Sequence, residues 1–137
     1  MGVGFNPIVL PGNPIPKQRP RLSRYGKAYD PQCKEKKDTQ LQLYNQWQCG
    51  VLKCAIGIDF KFVFHPPKSW SKKRKAACCE YSHTIPCDVD NLVKFYMDCM
   101  NGIVFHDDRQ VIDITATKTY AMGDGNTKIC LRVFDDE

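Results

Sequence analysis

The feature that most constrains the fold is an alternation of side-chain types over residues 54–64. Apolar residues occupy every second position of this stretch: Cys54, Ile56, Ile58, Phe60, Phe62 and Phe64. Four of the five positions between them hold small or charged residues: Ala55, Gly57, Asp59 and Lys61. Successive side chains of a strand point to opposite faces, so this period of two predicts a β-strand with one face in a core and one face outside it.

The residues before this strand predict three further elements. Residues 5–10 read as a strand that ends at a Pro-Gly-Asn-Pro stop, and residues 21–29 as a small hairpin that turns at Tyr25-Gly26. Between them, three prolines keep the chain extended, because proline fixes its own φ and disfavours helix in the residue before it. Pro31 opens a helix that is expected to run to about residue 48, with Asp30 as its N-cap.

A second helix is predicted after Asp90. Apolar residues recur there at helical spacing on one face: Leu92, Phe95, Tyr96 and Cys99. Asn101-Gly102 is a helix stop. Residues 65–87 show no periodicity and are expected to form a long basic loop.

Two strands are predicted at the C-terminal end, over 111–120 and 127–134. The turn-forming residues 123–126 between them suggest that the two strands form a hairpin. The predicted fold is therefore a single α+β domain over 1–137. It is expected to hold a small mixed sheet of about four to five strands and two main helices.

The sequence contains no apolar run of the ~18 residues that a membrane helix needs, and its start lacks a secretory pattern. We therefore expect a cytoplasmic protein with no membrane partner. In a reducing compartment most of the eight cysteines would be free thiols. An alternative is a zinc-stabilised interaction protein, with a site formed by Cys78, Cys79, His83 and Cys87.

The net charge of +5 is unevenly distributed along the chain. Basic residues gather at 17–37 and 68–75, and acidic residues gather at 88–113. Basic flanks around an acidic centre suit a polyanion that must be brought to a metal ion. A solvated surface with flexible basic loops gives the same pattern.

The acidic centre contains Asp88 and Asp90, which are two positions apart, and Asp108, which arrives from a separate segment. Residues i and i+2 share a face only in extended chain, and extended geometry is expected just before the helix. Carboxylate oxygens are the ligands that Mg²⁺ takes. Lys94, one turn after Asp90, could reach a phosphate. Taken separately, these residues are also ordinary helix caps and turn residues.

An ordered set of motifs gives the acidic centre a more specific meaning: PGNPIPKQRPR at 11–21, His83-Thr84, DVDNLVK at 88–94, Asp98, Asn101-Gly102, Asp107-Asp108 and Gln110. In this order the motifs resemble the RusA family of Holliday junction resolvases. The resemblance covers residues 8–120. One departure is Cys87, which stands where many members have a proline directly before the first aspartate.

The resemblance implies the role of each matching residue. Asp88, Asp90 and Asp108 match the catalytic, metal-binding aspartates, and Lys94 matches the catalytic lysine. The family consists of small α+β homodimers that use Mg²⁺ or Mn²⁺ to cut four-way DNA junctions on two opposed strands. Its members are often carried by bacteriophages and prophages. Recombination and repair of DNA would be the process served.

Basic residues that alternate along the extended segment are predicted to contact DNA phosphates, as is the second basic cluster: Lys17, Arg19, Arg21, Lys72, Lys73, Arg74 and Lys75. Trp70 and Tyr81 could stack on bases or could pack in the protein. Two other functions stay open: a nuclease for other branched DNA, and a non-catalytic nucleic-acid-binding module of the same fold.

Overall fold

The computed structural model of the chain describes residues 2–80, 85 and 87–134. Within these residues the chain forms three helices: α1 (Cys33–Gln46), α2 (Lys72–Glu80) and α3 (Val89–Met100). It also forms seven strands: β1 (Gly2–Gly4), β2 (Ile8–Pro11), β3 (Arg21–Leu22), β4 (Ala28–Tyr29), β5 (Ala55–Phe64), β6 (Val111–Tyr120) and β7 (Asn126–Phe134). Five of them form one mixed sheet, and β3 pairs with β4. The predicted α+β fold is confirmed.

The alternating stretch forms β5, the central strand of the sheet. Its alternate apolar side chains, from Ile56 to Phe62, are at most 3% exposed, whereas Lys61 faces outward. β7 pairs with β5 in antiparallel register and β6 pairs with it in parallel register. A parallel pair needs a crossover connection. The crossover from β5 to β6 carries α2 and α3.

The prediction that β6 and β7 form a hairpin is wrong, because the two strands flank β5 on opposite sides. Residues 121–125 link them across the end of β5, a distance of about 10 Å or two strand spacings. A Cβ added at Gly125 would lie 2.9 Å from the carbonyl oxygen of Val63 and 2.0 Å from Oδ1 of Asn13. Only glycine fits this crossing without displacing backbone.

The N-terminal elements form with small shifts. β2 starts at Ile8 rather than at residue 5, and β1 and β2 follow one another along the outer edge of β7. The small hairpin is confirmed as β3 and β4. α1 starts at Cys33, two residues later than expected, and its N-cap is Gln32 rather than Asp30. Asp30 lies in the turn before the helix, where it accepts a hydrogen bond from the backbone N–H of Gln32 at 2.9 Å.

The prediction of an irregular loop over 65–87 is wrong for residues 72–80, which form α2. Its sequence is a basic run followed by small residues and lacks an apolar stripe, so helical periodicity could not indicate it. Local contacts hold the helix instead. Ser71 Oγ accepts a hydrogen bond from the backbone N–H of Arg74, and Cys78 packs against Tyr120.

The predicted apolar face of α3 is confirmed: Leu92, Phe95, Tyr96 and Cys99 are all buried. They pack into one core with α1 and the apolar face of β5 and β7. Full burial of a leucine or phenylalanine side chain stabilises the fold by roughly 1.5–3 kcal/mol. The helix ends at Asn101, and Gly102 follows with a φ of +82°, a backbone conformation that favours glycine. None of the helices in the described residues is long and apolar enough to span a membrane.

Candidate active site

An open groove with a volume of about 580 Å³ lies at the N-terminal end of α3. Asp88, Asp90 and Lys94 line one wall, and the extended segment from Lys17 to Pro20 lines the other. Both aspartates are exposed, and Lys94 Nζ lies 3.6 Å from the Asp90 carboxylate. The structure thus places two of the three predicted carboxylates and the predicted lysine in one groove.

The two aspartates do not share an extended segment as predicted. Asp88 is the N-cap of α3, with an extended φ of −79° and ψ of 135°, but Asp90 lies inside the first helical turn. Both still border the groove because this first turn faces it. Carboxylates near a helix N-terminus are stabilised by its unpaired backbone N–H groups.

The extended basic segment is fixed between α1 and α3. The backbone N–H of Lys17 donates to the carbonyl oxygen of Asn91 at 2.9 Å. On the other side, Gln32 Nε2 donates to the carbonyl oxygen of Pro16 at 2.7 Å, and Gln32 Oε1 accepts from the backbone N–H of Gln18 at 2.9 Å. The side chain of Gln32 therefore pairs with the segment much as a neighbouring strand would.

The three predicted phosphate contacts of this segment have different surroundings. Lys17 lines the groove and forms an ion pair with Asp98 of α3. Arg19 lines the groove and is exposed. Arg21 lies beyond it in β3, where its guanidinium contacts Gln18 Oε1 at 3.5 Å.

Asp107 and Asp108 lie in a short turn before β6, outside the lining of this groove. Gln110 fixes the turn by four hydrogen bonds. Its Oε1 accepts from the backbone N–H groups of His106 and Asp107 at 2.8 Å each, and its Nε2 donates to the carbonyl oxygens of Leu52 and Cys54. The turn is thereby tied to the chain that leads into β5.

The two acids of the turn differ in their ionisation. The backbone N–H of Arg109 donates to the Asp107 carboxylate and, together with other hydrogen bonds, lowers the pKa of Asp107 to about 2. The pKa of Asp108 is raised, first by its hydrogen bond with Asp107, and also by repulsion from the charges of Asp107 and Asp98. Asp98, whose charge contributes to this rise in the pKa of Asp108, forms an ion pair with Lys17.

The donor chemistry of the groove fits a hard divalent cation, because Asp88 and Asp90 offer carboxylate oxygens and Mg²⁺ needs only one or two of them beside waters and a substrate phosphate. In the described part of the chain, no group of three or more His, Cys, Asp and Glu side chains could hold a metal ion. The convergence of Asp108 with the other two aspartates thus stays a prediction.

The second basic cluster lies on α2. Lys72, Lys73 and Arg74 are exposed and Lys75 is half-buried. The guanidinium carbon of Arg74 lies 3.8 Å from the ring centroid of Trp70. That indole ring in turn packs against Tyr120 at a centroid distance of 5.5 Å. Trp70 is therefore part of the protein's own packing.

The proposed zinc ligands are only partly described, since His83 lies outside the described residues, as does Tyr81. Cys78, Cys79 and Cys87 pack around the same small cluster with Tyr120. Burial raises the pKa of the Cys78 thiol.

The sequence interpretation missed Lys118 in β6. Its ammonium group donates to the carbonyl oxygen of Ile85 at 2.9 Å and also to that of Cys87, on the segment that leads into Asp88. A second cavity, of about 500 Å³, is lined by this lysine together with Asp88 and Lys17. The sequence did contain one signal for this residue: a lysine at an inward-facing position of a predicted strand, among small polar neighbours.

These features define a small α+β domain that presents carboxylates and cations together in a groove next to a fixed basic segment. The family model described as Endodeoxyribonuclease RusA matches residues 11–132, and the chain belongs to this family. The uncharacterized protein YqaN of Bacillus subtilis (strain 168) is 33% identical over 119 residues, which cover 80% of this chain and 84% of that protein. Family membership supports an endodeoxyribonuclease, a hydrolase that acts on DNA. The family acts on branched DNA junctions, and its resolvases generally depend on a divalent metal ion.

Proposed function

We propose that this protein is a Mg²⁺-dependent endodeoxyribonuclease that resolves four-way DNA junctions by hydrolysing one phosphodiester on each of two opposed strands. The observation that carries the proposal is the shared groove of Asp88, Asp90, Lys94 and the Lys17–Pro20 segment. A site that cuts a polyanion needs carboxylates for the metal and cations for the phosphates, and this groove brings both together.

In the proposed site Asp88 and Asp90 hold Mg²⁺, for which Mn²⁺ would substitute, and Asp108 serves as the third ligand on the strength of the family resemblance. The chemistry that such an ion supplies is a lowered pKa of bound water and stabilisation of negative charge on the attacked phosphate. Lys94 provides a point cation for a phosphate oxygen on the same wall. Arg19 faces the groove from the opposite wall and orients the DNA backbone.

The proposed active form is a homodimer. A four-way junction has a near two-fold axis, so a two-fold symmetric dimer presents two equivalent sites to two equivalent strands. The proposed location is the cytoplasm, where phage or prophage DNA undergoes recombination.

The test is cleavage of a synthetic four-way junction with mapped cut sites, in which wild type is compared with Asp90→Asn. We expect symmetric, Mg²⁺-dependent nicks by wild type and a loss of at least about 100-fold in the variant, which still binds the junction. Asp124→Asn is the matched control, because Asp124 is an exposed acid in the link between β6 and β7. A wild type that binds junctions but never cuts with Mg²⁺ or Mn²⁺ would refute the proposal.

A substrate panel separates this function from that of a nuclease for other branched DNA. Flaps, forks and three-way junctions would be cut more slowly than the four-way junction. Faster cutting of a flap or fork would favour the other nuclease. A non-catalytic binding module is disfavoured, since exposed carboxylates beside DNA weaken binding.

A further inference from the structure

Lys118 occupies an unusual position for a lysine. It lies in β6 opposite Phe62 of β5, and the Phe62 side chain is fully buried in the core. Lys118 is half-buried, and its ammonium group turns toward the segment before Asp88. Burial of a charged group is costly unless its hydrogen bonds are satisfied, so the position calls for partners.

The partners that the ammonium group has are neutral. Two of its three N–H donors are used by the carbonyl oxygens of Ile85 and Cys87. Among the carboxylates whose side chains the structure describes, none lies within 4.0 Å of the Lys118 nitrogen. Within the described residues, the third donor and the positive charge therefore have no partner and can receive an anion.

The cavity beside Lys118 adjoins the candidate active site. It shares Lys17, Asp88 and Asn91 with the 580 Å³ groove, so the two spaces meet at Asp88. Lys94 and Arg19 lie on one side of this meeting point, and Lys118 lies on the other. A DNA strand that crosses Asp88 would thus place one phosphate near Lys94 and a neighbouring phosphate near Lys118.

We propose that Lys118 binds a DNA backbone phosphate adjacent to the cut phosphodiester, on the opposite side of Asp88 from Lys94. This inference rests on the proposed function of the groove. The same lysine also holds the carbonyl oxygens before Asp88, so one side chain both positions the aspartate and receives the strand.

The variant that separates these two roles is Lys118→Gln. A glutamine retains two N–H donors, on a side chain one bond shorter, and removes the charge and the third donor. Lys118→Arg keeps the charge. Lys61→Gln is the matched control, because Lys61 lies in the neighbouring strand on the opposite face of the sheet.

Binding of a labelled four-way junction is measured by fluorescence anisotropy in EDTA at several salt concentrations. We expect Lys118→Gln to weaken binding several-fold and to reduce the slope of log affinity against log salt by about one. Lys118→Arg and Lys61→Gln should keep slopes close to that of wild type. A wild-type slope in Lys118→Gln overturns the proposal, as does an equal loss of slope in Lys61→Gln.

A second readout needs no substitution. Acetylation of lysines in the wild-type protein, followed by mass spectrometry, should show Lys118 protected by a junction and exposed again when the phosphates next to the cut are replaced by neutral methylphosphonates. Equal protection by both junctions overturns the proposal. The binding experiments contain no divalent metal, so they test the Lys118 contact separately from cleavage. A protein that binds junctions but never cuts them would refute the nuclease function, and the binding measurements would still decide whether Lys118 contacts a phosphate.

Discussion

Lys17 of the extended basic segment forms an ion pair with Asp98 of α3, 81 residues further along the chain. Lys17 also lines the groove that contains Asp88 and Asp90, and the charge of Asp98 helps to raise the pKa of Asp108. Lys17 therefore contacts Asp98 and borders the groove of Asp88 and Asp90 at the same time. Its charge is already partly neutralised in the free protein, which weakens it as a phosphate contact.

Replacement of Asp98 by asparagine should tighten DNA binding. The change removes a negative charge near the groove and frees Lys17 for a phosphate, so junction affinity in EDTA should rise about two- to tenfold and its salt dependence should steepen. Anisotropy titration measures both quantities. Asp38→Asn, which removes an exposed acid from α1, serves as control and should have a smaller effect. Unchanged or weaker binding by Asp98→Asn would contradict this role of the ion pair.

Replacement of Gln32 by leucine should destabilise the protein and loosen the basic segment. Gln32 is 6% exposed, and its carboxamide satisfies the carbonyl oxygen of Pro16 and the N–H of Gln18. Loss of both bonds should lower the free energy of unfolding by about 1–3 kcal/mol, as measured by urea denaturation. Gln40→Leu in α1 is the control. If both variants had the wild-type free energy of unfolding, the two hydrogen bonds of the Gln32 side chain would not contribute to stability.

The elements that could be predicted from sequence are those whose signal is local. β5 alternates because one of its faces lies in the core, and α3 repeats its apolar residues at helical spacing because one side packs on the sheet. The groove could be predicted in part for the same reason. Asp88, Asp90 and Lys94 are close in sequence, so any start of α3 near residue 89 brings them together.

The sequence-based predictions that were wrong or missing concern contacts between segments that are distant in the chain. A turn signal between β6 and β7 is equally compatible with a hairpin and with a link that crosses β5, and the choice depends on which strands pair with β5. Gly125 marks the crossing, but glycine is common in every kind of turn. The hydrogen bonds from Lys118 join segments more than 30 residues apart, so local sequence can mark the lysine as unusual but cannot identify the carbonyl oxygens that it contacts.

Replacement of Gln110 by alanine should loosen the turn that carries Asp107 and Asp108. Four backbone groups would lose their partner, so the free energy of unfolding should fall by about 1–3 kcal/mol. In junction cleavage, the variant should need more Mg²⁺ for half-maximal rate, since Asp108 would be less well positioned. Gln48→Ala is the control, because Gln48 is exposed and bonds only locally, to Asn45. A stability loss with an unchanged Mg²⁺ requirement would show that Gln110 supports the fold but not the aspartates.

Replacement of Asp59 by asparagine should make stability less sensitive to acid. Asp59 lies on the outward face of β5, where the hydroxyl of Thr115 donates to it at 2.6 Å and the Arg132 guanidinium donates to both of its oxygens. The Thr115 hydrogen bond, with the contribution of Arg132, holds the pKa of Asp59 below its ordinary 3.8. A depressed folded-state pKa means that the contribution to stability is complete above about pH 4 and is lost as pH falls through the folded pKa.

Urea denaturation at pH 7 and pH 3 measures the effect. Because the Asp59 side chain is 40% exposed and solvent screens it, Asp59→Asn should cost about 1 kcal/mol or less at pH 7. The difference in free energy of unfolding between wild type and the variant should shrink at pH 3, where the wild-type carboxylate begins to take up a proton. Asp124→Asn is the control, because Asp124 is an exposed acid in the link between β6 and β7. A difference in free energy of unfolding between wild type and Asp59→Asn that grows at pH 3 would have the wrong sign. It would contradict the claim that the folded protein stabilises the ionised Asp59 carboxylate.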